Sequence, residues 1–192
     1  MATNFNEFVI KKHDLFIFKI RRGTYKKIKE FLVQIIKERN YTVAMKKIPV
    51  ELKTIGIVHS PYKETTDVPR GCKKEISEIE IYKEYEEGLT DIEGFTHIHV
   101  LYWLHKSKGY SLMVNTPWDD TPHGLFTTRS PHRPSPIALT TVELIIQKNN
   151  ILRVKGLDAI EGTPVIDIKP YVKKFDIKTH AVSGWLEKTE LK

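Results

Sequence analysis

Arg129 and Arg133 stand four residues apart in residues 124–139 (GLFTTRSPHRPSPIAL), a segment that also holds three prolines. A guanidinium is a planar, forked donor suited to carboxylates and phosphates, provided that its position is fixed. Pro131, Pro134 and Pro136 supply stiffness, because each fixes φ and lacks a backbone donor, and they exclude a helix. Pro131 and Pro134 also push Ser130 and Arg133 toward extended conformations. Thr127, Thr128, Ser130, His132 and Ser135 surround the arginines with hydrogen-bonding groups. The simpler alternative is a proline-rich turn whose arginines make structural ion pairs.

A second constellation is Asp158-Ala159-Ile160-Glu161, followed by Gly162. Two carboxylates flanking a short apolar pair, with glycine allowing a tight turn, could meet ribose hydroxyls or an adenine edge. Its structural alternative is a strand connection in which Asp158 caps local backbone donors. His97 and His99 form a third. Residues i and i+2 of a strand share a face, so two imidazoles could chelate one metal ion. Positions 100–104 offer no third ligand, which favours structural histidines and no metal site. No dinucleotide-binding or phosphate-loop glycine motif is present, and no hydrolase nucleophile elbow.

The elements that must position these groups are mostly strands. Residues 54–59, 95–104, 137–147, 151–156 and 165–168 read as strands, with Ile79, Ile81, Lys83 and Tyr85 alternating in another that has one wet face. The apolar run 95–104 is expected to be fully buried. Leu125 and Phe126 before the arginine segment and Ile137 to Ile146 after it suggest strands anchoring both loop ends. Residues 106–123 read as a loop. Closely spaced strands with few helical patterns imply a mainly β fold, a barrel or sandwich, from residue 54 to 192. Before it, residues 1–53 read as a small α+β extension. Clusters at Phe8–Ile10 and Leu15–Ile20 around His13-Asp14 predict a hairpin. Thr24 caps an amphipathic helix over 24–39, ended by Asn40. Met45 could be an alternative start, since the chain beyond it reads as a self-contained domain.

Composition describes an ordinary soluble domain: 192 residues, 40% hydrophobic and 29% charged. No apolar run reaches the ~18 residues of a membrane span. The N-terminus has no secretion signal, and Cys72 is the sole cysteine, which excludes an intrachain disulfide and fits a reducing cytoplasm. The net charge of +7 is unevenly placed: residues 1–53 hold 13 Lys and Arg against 5 Asp and Glu, while the remainder is close to neutral. A basic segment of this kind is either an electrostatic handle for RNA or DNA or a solvated lysine-rich surface.

Taken together, the blocks Ile55-Gly56-Ile57-Val58-His59-Ser60-Pro61-Tyr62-Lys63, Val68-Pro69-Arg70, Gly88-Leu89 with Ile92-Glu93-Gly94-Phe95-Thr96-His97-Ile98, residues 126–137 and residues 156–171 resemble the TsaA-like (TrmO) family of tRNA methyltransferases. The resemblance covers the chain from about residue 54 onward. It implies a compact, non-Rossmann β-barrel, a homodimer, that binds S-adenosylmethionine and methylates N6 of threonylcarbamoyl-adenosine beside the anticodon of tRNA. Carried over by position, the cofactor contacts would be Arg70, Gly71, Cys72, His105, Lys106, Arg129, Leu139 and the turn Asp158, Ala159, Ile160 and Glu161. His105 and Asp158 would be the catalytic candidates, and Arg133 with His132 would face tRNA phosphate or the threonyl carboxylate. Bacterial relatives have Asp where Glu161 stands, Asn and Gly where Ser135 and Ala138 stand, and a further C-terminal domain. These departures leave a second reading, a barrel that binds S-adenosylmethionine or RNA as an adaptor or sensor without turnover.

Overall fold

The computed structural model describes residues 5–12, 14–21, 49–69 and 74–189. The chain divides into two compact units, Met1–Val50 and Glu51–Lys192. In the first, β1 (Phe5–Lys12) and β2 (Asp14–Arg21) form an antiparallel pair whose register puts Phe8 opposite Phe18 and Lys12 opposite Asp14 along the backbone. This is the hairpin that the two apolar clusters predict. The helix expected over 24–39 lies outside the described residues.

The second unit is a closed six-stranded barrel. Its strands are β3 (Gly56–His59), β4 (Ile76–Ile81), β5 (His97–Trp103), β8 (Ile137–Lys148), β9 (Ile151–Lys155) and β10 (Pro164–Pro170). Going around the wall the order is β10-β3-β4-β9-β8-β5, every neighbour antiparallel. Closure leaves no open sheet edge to pair with another chain. The period-2 pattern sends Val58, Ile79, Ile81, Ile98, Val100, Tyr102, Val142, Leu152, Val154 and Val165 inward, all at 2% exposure or less. Leu157 and Ala159 join this core from the β9–β10 turn. Gly56 lets β3 and β4 approach: a Cβ there would lie 2.3 Å from the Glu80 carbonyl oxygen.

Several sequence expectations are corrected. The run 95–104 is a strand buried at alternate positions only, at Ile98, Val100 and Tyr102, because a barrel wall has one inner face. Lys83 and Tyr85 are not in a strand. The chain leaves the sheet at Ile81 and winds through a 3₁₀ segment, Lys83–Leu89, where Tyr85 packs against the core. Leu125 and Phe126 likewise belong to a 3₁₀ turn, Leu125–Thr127, so the arginine segment is anchored in a strand at its far end only. Within 106–123, read as loop, β6 (Met113–Val114) pairs with β7 (His123–Gly124). After β10 come a four-residue helix, α1 (Lys173–Asp176), and a 3₁₀ turn, Gly184–Lys188.

The strand registers fix which connections share an end of the barrel. Trp103 pairs with Ile137, Tyr102 with Val165, and Pro164 with Ile57. The connections β3–β4, β5–β8 and β9–β10 therefore leave from one end, called here the mouth. The connections β4–β5 and β8–β9 lie at the other.

Candidate active site

Asp158 and Glu161 sit on the β9–β10 connection and are held by different partners. Asp158 Oδ1 accepts hydrogen bonds from Tyr102 Oη at 2.8 Å and Thr140 Oγ1 at 2.6 Å. The two donors are themselves 3.1 Å apart. Burial, then the Asp158 charge, pushes the Tyr102 phenol well above its ordinary value of 10.0, so the hydroxyl keeps its proton and donates. Asp158 Oδ2 has no partner among the described residues, which leaves one oxygen of a fixed carboxylate for a ligand.

Glu161 is tied to the β3–β4 connection. Its Oε2 accepts from the Ser60 backbone N–H at 2.8 Å and lies 3.3 Å from Lys63 Nζ, and its Oε1 lies 3.3 Å from His59 Nδ1. The Ser60 hydrogen bond is the main cause that holds Glu161 below the usual carboxylate value; His59 and Lys63 add to it. The other His59 nitrogen lies 2.8 Å from Glu80, and this bond first, then Glu161, raises the imidazole above its ordinary value. The Glu161 backbone N–H also donates to the Tyr62 carbonyl at 2.7 Å.

The β5–β8 connection joins the same assembly. Lys106 Nζ bonds Glu64 at 2.9 Å and the Lys63 carbonyl at 3.1 Å. Ser107 Oγ donates to the Pro131 carbonyl at 2.9 Å and lies 3.2 Å from His132 Nδ1. The Leu104 N–H donates to Pro136 at 2.8 Å, closing the base of this connection. Contacts thus run from the Glu161 turn through Lys63 and Lys106 to the proline-rich segment.

The residues singled out in the sequence fall into groups. His105, Lys106, Arg129, His132, Arg133, Asp158, Ala159, Ile160 and Glu161 all lie on connections at the mouth, and Leu139 lies in β8 beside them, 58% exposed. Arg70, Gly71 and Cys72 lie outside the described residues. Arg129 is exposed and makes no hydrogen bond or ion pair among the described residues. The His105 side chain is likewise exposed and unbonded among them. Arg133 is different: its Nη1 donates to the Thr128 and Ser130 carbonyls at 3.1 and 3.4 Å, so it braces its own loop. The side chains of Ala159 and Ile160 are buried, which leaves only their backbone for a ligand.

His97 and His99 stand apart from the mouth. His99 lies 2.8 Å from Thr141 and 3.5 Å from Asp176, and both imidazoles neighbour Tyr171. No group of three or more His, Cys, Asp or Glu side chains among the described residues is placed to hold a metal ion.

Tyr102, Thr140, His59, Ser60 and Lys63 were not among the expected site residues, although His59, Ser60 and Lys63 stand in the first block of the family resemblance. Tyr102 carried a signal of its own: a tyrosine inside a strand that buries its ring needs a partner for its hydroxyl.

Comparison with known proteins decides the family. The tRNA-methyltransferase O N-terminal domain matches residues 57–177. The chain belongs to the TrmO N-terminal domain family. A probable S-adenosyl-L-methionine-binding protein of Archaeoglobus fulgidus is 49% identical over 140 residues, covering 72% of this chain and 38% of that protein. The tRNA (adenine(37)-N6)-methyltransferase of Escherichia coli is 35% identical over 135 residues, covering 64% and 57%. The crystal structure of TrmO from Pseudomonas aeruginosa superposes with a TM-score of 0.62 at 28% identity, over 74% of this chain and 63% of that one. The chain therefore spans well under two thirds of the two sequence relatives and slightly less than that of the solved structure. The TrmO resemblance and the mainly β barrel expected from sequence are both borne out.

Proposed function

We propose that this TrmO-family chain is an S-adenosylmethionine-dependent tRNA methyltransferase that acts on N6 of threonylcarbamoyl-adenosine beside the anticodon, working as a cytoplasmic homodimer. The observation that carries the reading is the mouth itself. A carboxylate with one oxygen fixed and one free, and a guanidinium without a partner among the described residues, stand on connections at one end of the same barrel.

The donor groups there fit the cofactor. Asp158 can accept from ribose hydroxyls, Arg129 can bind a carboxylate, and exposed Leu139 offers apolar surface for an adenine ring. S-Adenosylmethionine, when bound, supplies a methyl group already activated by its sulfonium. The chain must then mainly align donor and nucleophile, and such orientation lowers a barrier by ~7–11 kcal/mol. Tyr102 and Thr140 hold Asp158 in one position, and the Ser60–Glu161 and Lys106–Glu64 contacts hold the neighbouring connections against it. The N6 proton would pass to the His105 imidazole, or to the free oxygen of Asp158 where the ribose does not occupy it.

The test is incubation of the full chain with unmodified and threonylcarbamoylated tRNA and the cofactor, followed by mass spectrometry of the nucleosides. A gain of one methyl group on threonylcarbamoyl-adenosine is expected. Cofactor or tRNA binding without any methyl gain would instead establish the non-catalytic adaptor.

A further inference from the structure

The turn that leads into Arg129 carries an aromatic ring in solvent. Phe126 is 73% exposed, while its neighbour Leu125 is 1% exposed and donates its N–H to the Leu112 carbonyl at 2.9 Å. The turn is cross-linked on every side. Thr127 Oγ1 donates to the Gly124 carbonyl at 2.8 Å and Thr128 Oγ1 to that of Leu125 at 2.9 Å. Trp185, stacked on His123 with centroids 3.7 Å apart, donates its indole N–H to the Thr127 carbonyl at 3.1 Å. Arg133, which braces the same turn, places its guanidinium carbon 5.8 Å from the Phe126 ring centroid.

A large apolar ring on so rigid a frame costs hydration and contributes nothing to the core. A guanidinium near an aromatic ring is attracted to its π-face, which leaves ring surface free to stack. A second exposed ring, Tyr110 at 58%, stands on the other limb of the β5–β8 connection. Ser107 ties the two limbs together through Pro131 and His132. Along the chain, Lys108 stands two residues before Tyr110 and Arg129 three after Phe126, with His132 and Arg133 following. Exposed aromatic rings among cations suit a partner that is both flat and anionic, which describes unpaired nucleotides. Exposed Leu112 and Met113 lie nearby, yet a second copy of the same face would bring like charges together.

We propose that Phe126, backed by Arg133, is a stacking platform for an unpaired base of the RNA substrate. This rests on the tRNA reading and adds to it the residue that would hold the anticodon loop. The experiment is fluorescence anisotropy of a labelled anticodon stem–loop with the full chain, across a range of salt, for wild type, Phe126→Ala, Phe126→Leu and Phe126→Tyr. Phe126→Ala and Phe126→Leu should bind about ten- to a hundredfold more weakly, and Phe126→Tyr within about threefold of wild type. The slope of log affinity against log salt should be common to all four, because stacking releases no counterions. A mere packing role would let leucine substitute.

Wild-type binding with equal affinity for all four proteins overturns the platform and leaves the tRNA reading standing. No RNA binding by wild type overturns both. Loss of a dimer in Phe126→Ala by sedimentation, with RNA affinity unchanged, overturns the platform by assigning the ring to an interface between copies.

Discussion

Asp158 shows how a few hydrogen bonds can fix one carboxylate of the candidate site. Its Oδ1 is committed to Tyr102 and Thr140, so the carboxylate has little rotational freedom left to lose on binding, which favours affinity. Arg129 has no such commitment among the described residues, and its removal should leave the barrel intact. Arg129→Ala is expected to abolish cofactor binding or turnover, by calorimetry or tRNA methylation, with the thermal midpoint changed by less than about 1 °C. Wild-type activity in that variant would remove Arg129 from the site. Glu161 has a pH signature. Its lowered value means that its stabilisation is present above the ordinary 4.5 and is lost as pH falls through the lowered value in the folded protein. His59 is raised, so its stabilisation is full below 6.5 and is lost as pH rises through the raised value. Both act fully only between those limits. Glu161→Gln should therefore lower the thermal midpoint most at about pH 5.5 and less at about pH 3 or 9. The effect is expected to be small, roughly 1–3 °C, because these groups are partly exposed to solvent. A pH-independent difference would contradict the arrangement.

Among the elements, the β3–β4 pair approaches closely at Gly56. A methyl group at Gly56 would meet the Glu80 carbonyl oxygen at 2.3 Å and Ile81 Cα at 3.1 Å, both backbone atoms that cannot rotate away. Gly56→Ala should cost at least about 2–3 kcal/mol in urea unfolding; an unchanged midpoint would contradict this close approach of β3 to β4. The same scale shows what the sequence could and could not tell. Strands β5, β8 and β9 were legible because short apolar runs and the turn residues that bound them, Gly94 before β5 and Asn149-Asn150 between β8 and β9, mark them locally. The segment Lys83–Leu89 was not, since alternating Ile79, Ile81, Lys83 and Tyr85 continue a strand pattern past the point where the wall ends. Short β6 and β7 have no periodicity to read. In the site, the loops announced themselves through proline, glycine and charge. Their fastenings did not: Tyr102 meets Asp158 across 56 residues of chain and Ser60 meets Glu161 across 101, pairings that only barrel closure creates.

At the scale of the whole molecule, the two ends of the barrel differ in charge. The β5–β8 connection at the mouth carries Lys106, Lys108, Arg129 and Arg133 against Asp119 and Asp120. The β4–β5 connection at the opposite end carries Lys83 against Glu84, Glu86, Glu87, Asp91 and Glu93. An RNA approaching this barrel is repelled from the acidic end and tolerated at the mouth. The acidic end also has a cavity of about 660 Å³, lined by Tyr85, Leu89, Ile92, Phe95 and Ile168 among others, and its size alone would make it a rival site for a small ligand. Nitrogen–proton correlation NMR of the isotopically labelled full chain, titrated with S-adenosylmethionine, separates the two ends most directly. The account predicts that amide shifts concentrate at residues 105–106, 129–139 and 158–161, with residues 83–95 unmoved. Shifts that cluster at 83–95 and spare Arg129 and Asp158 would contradict it.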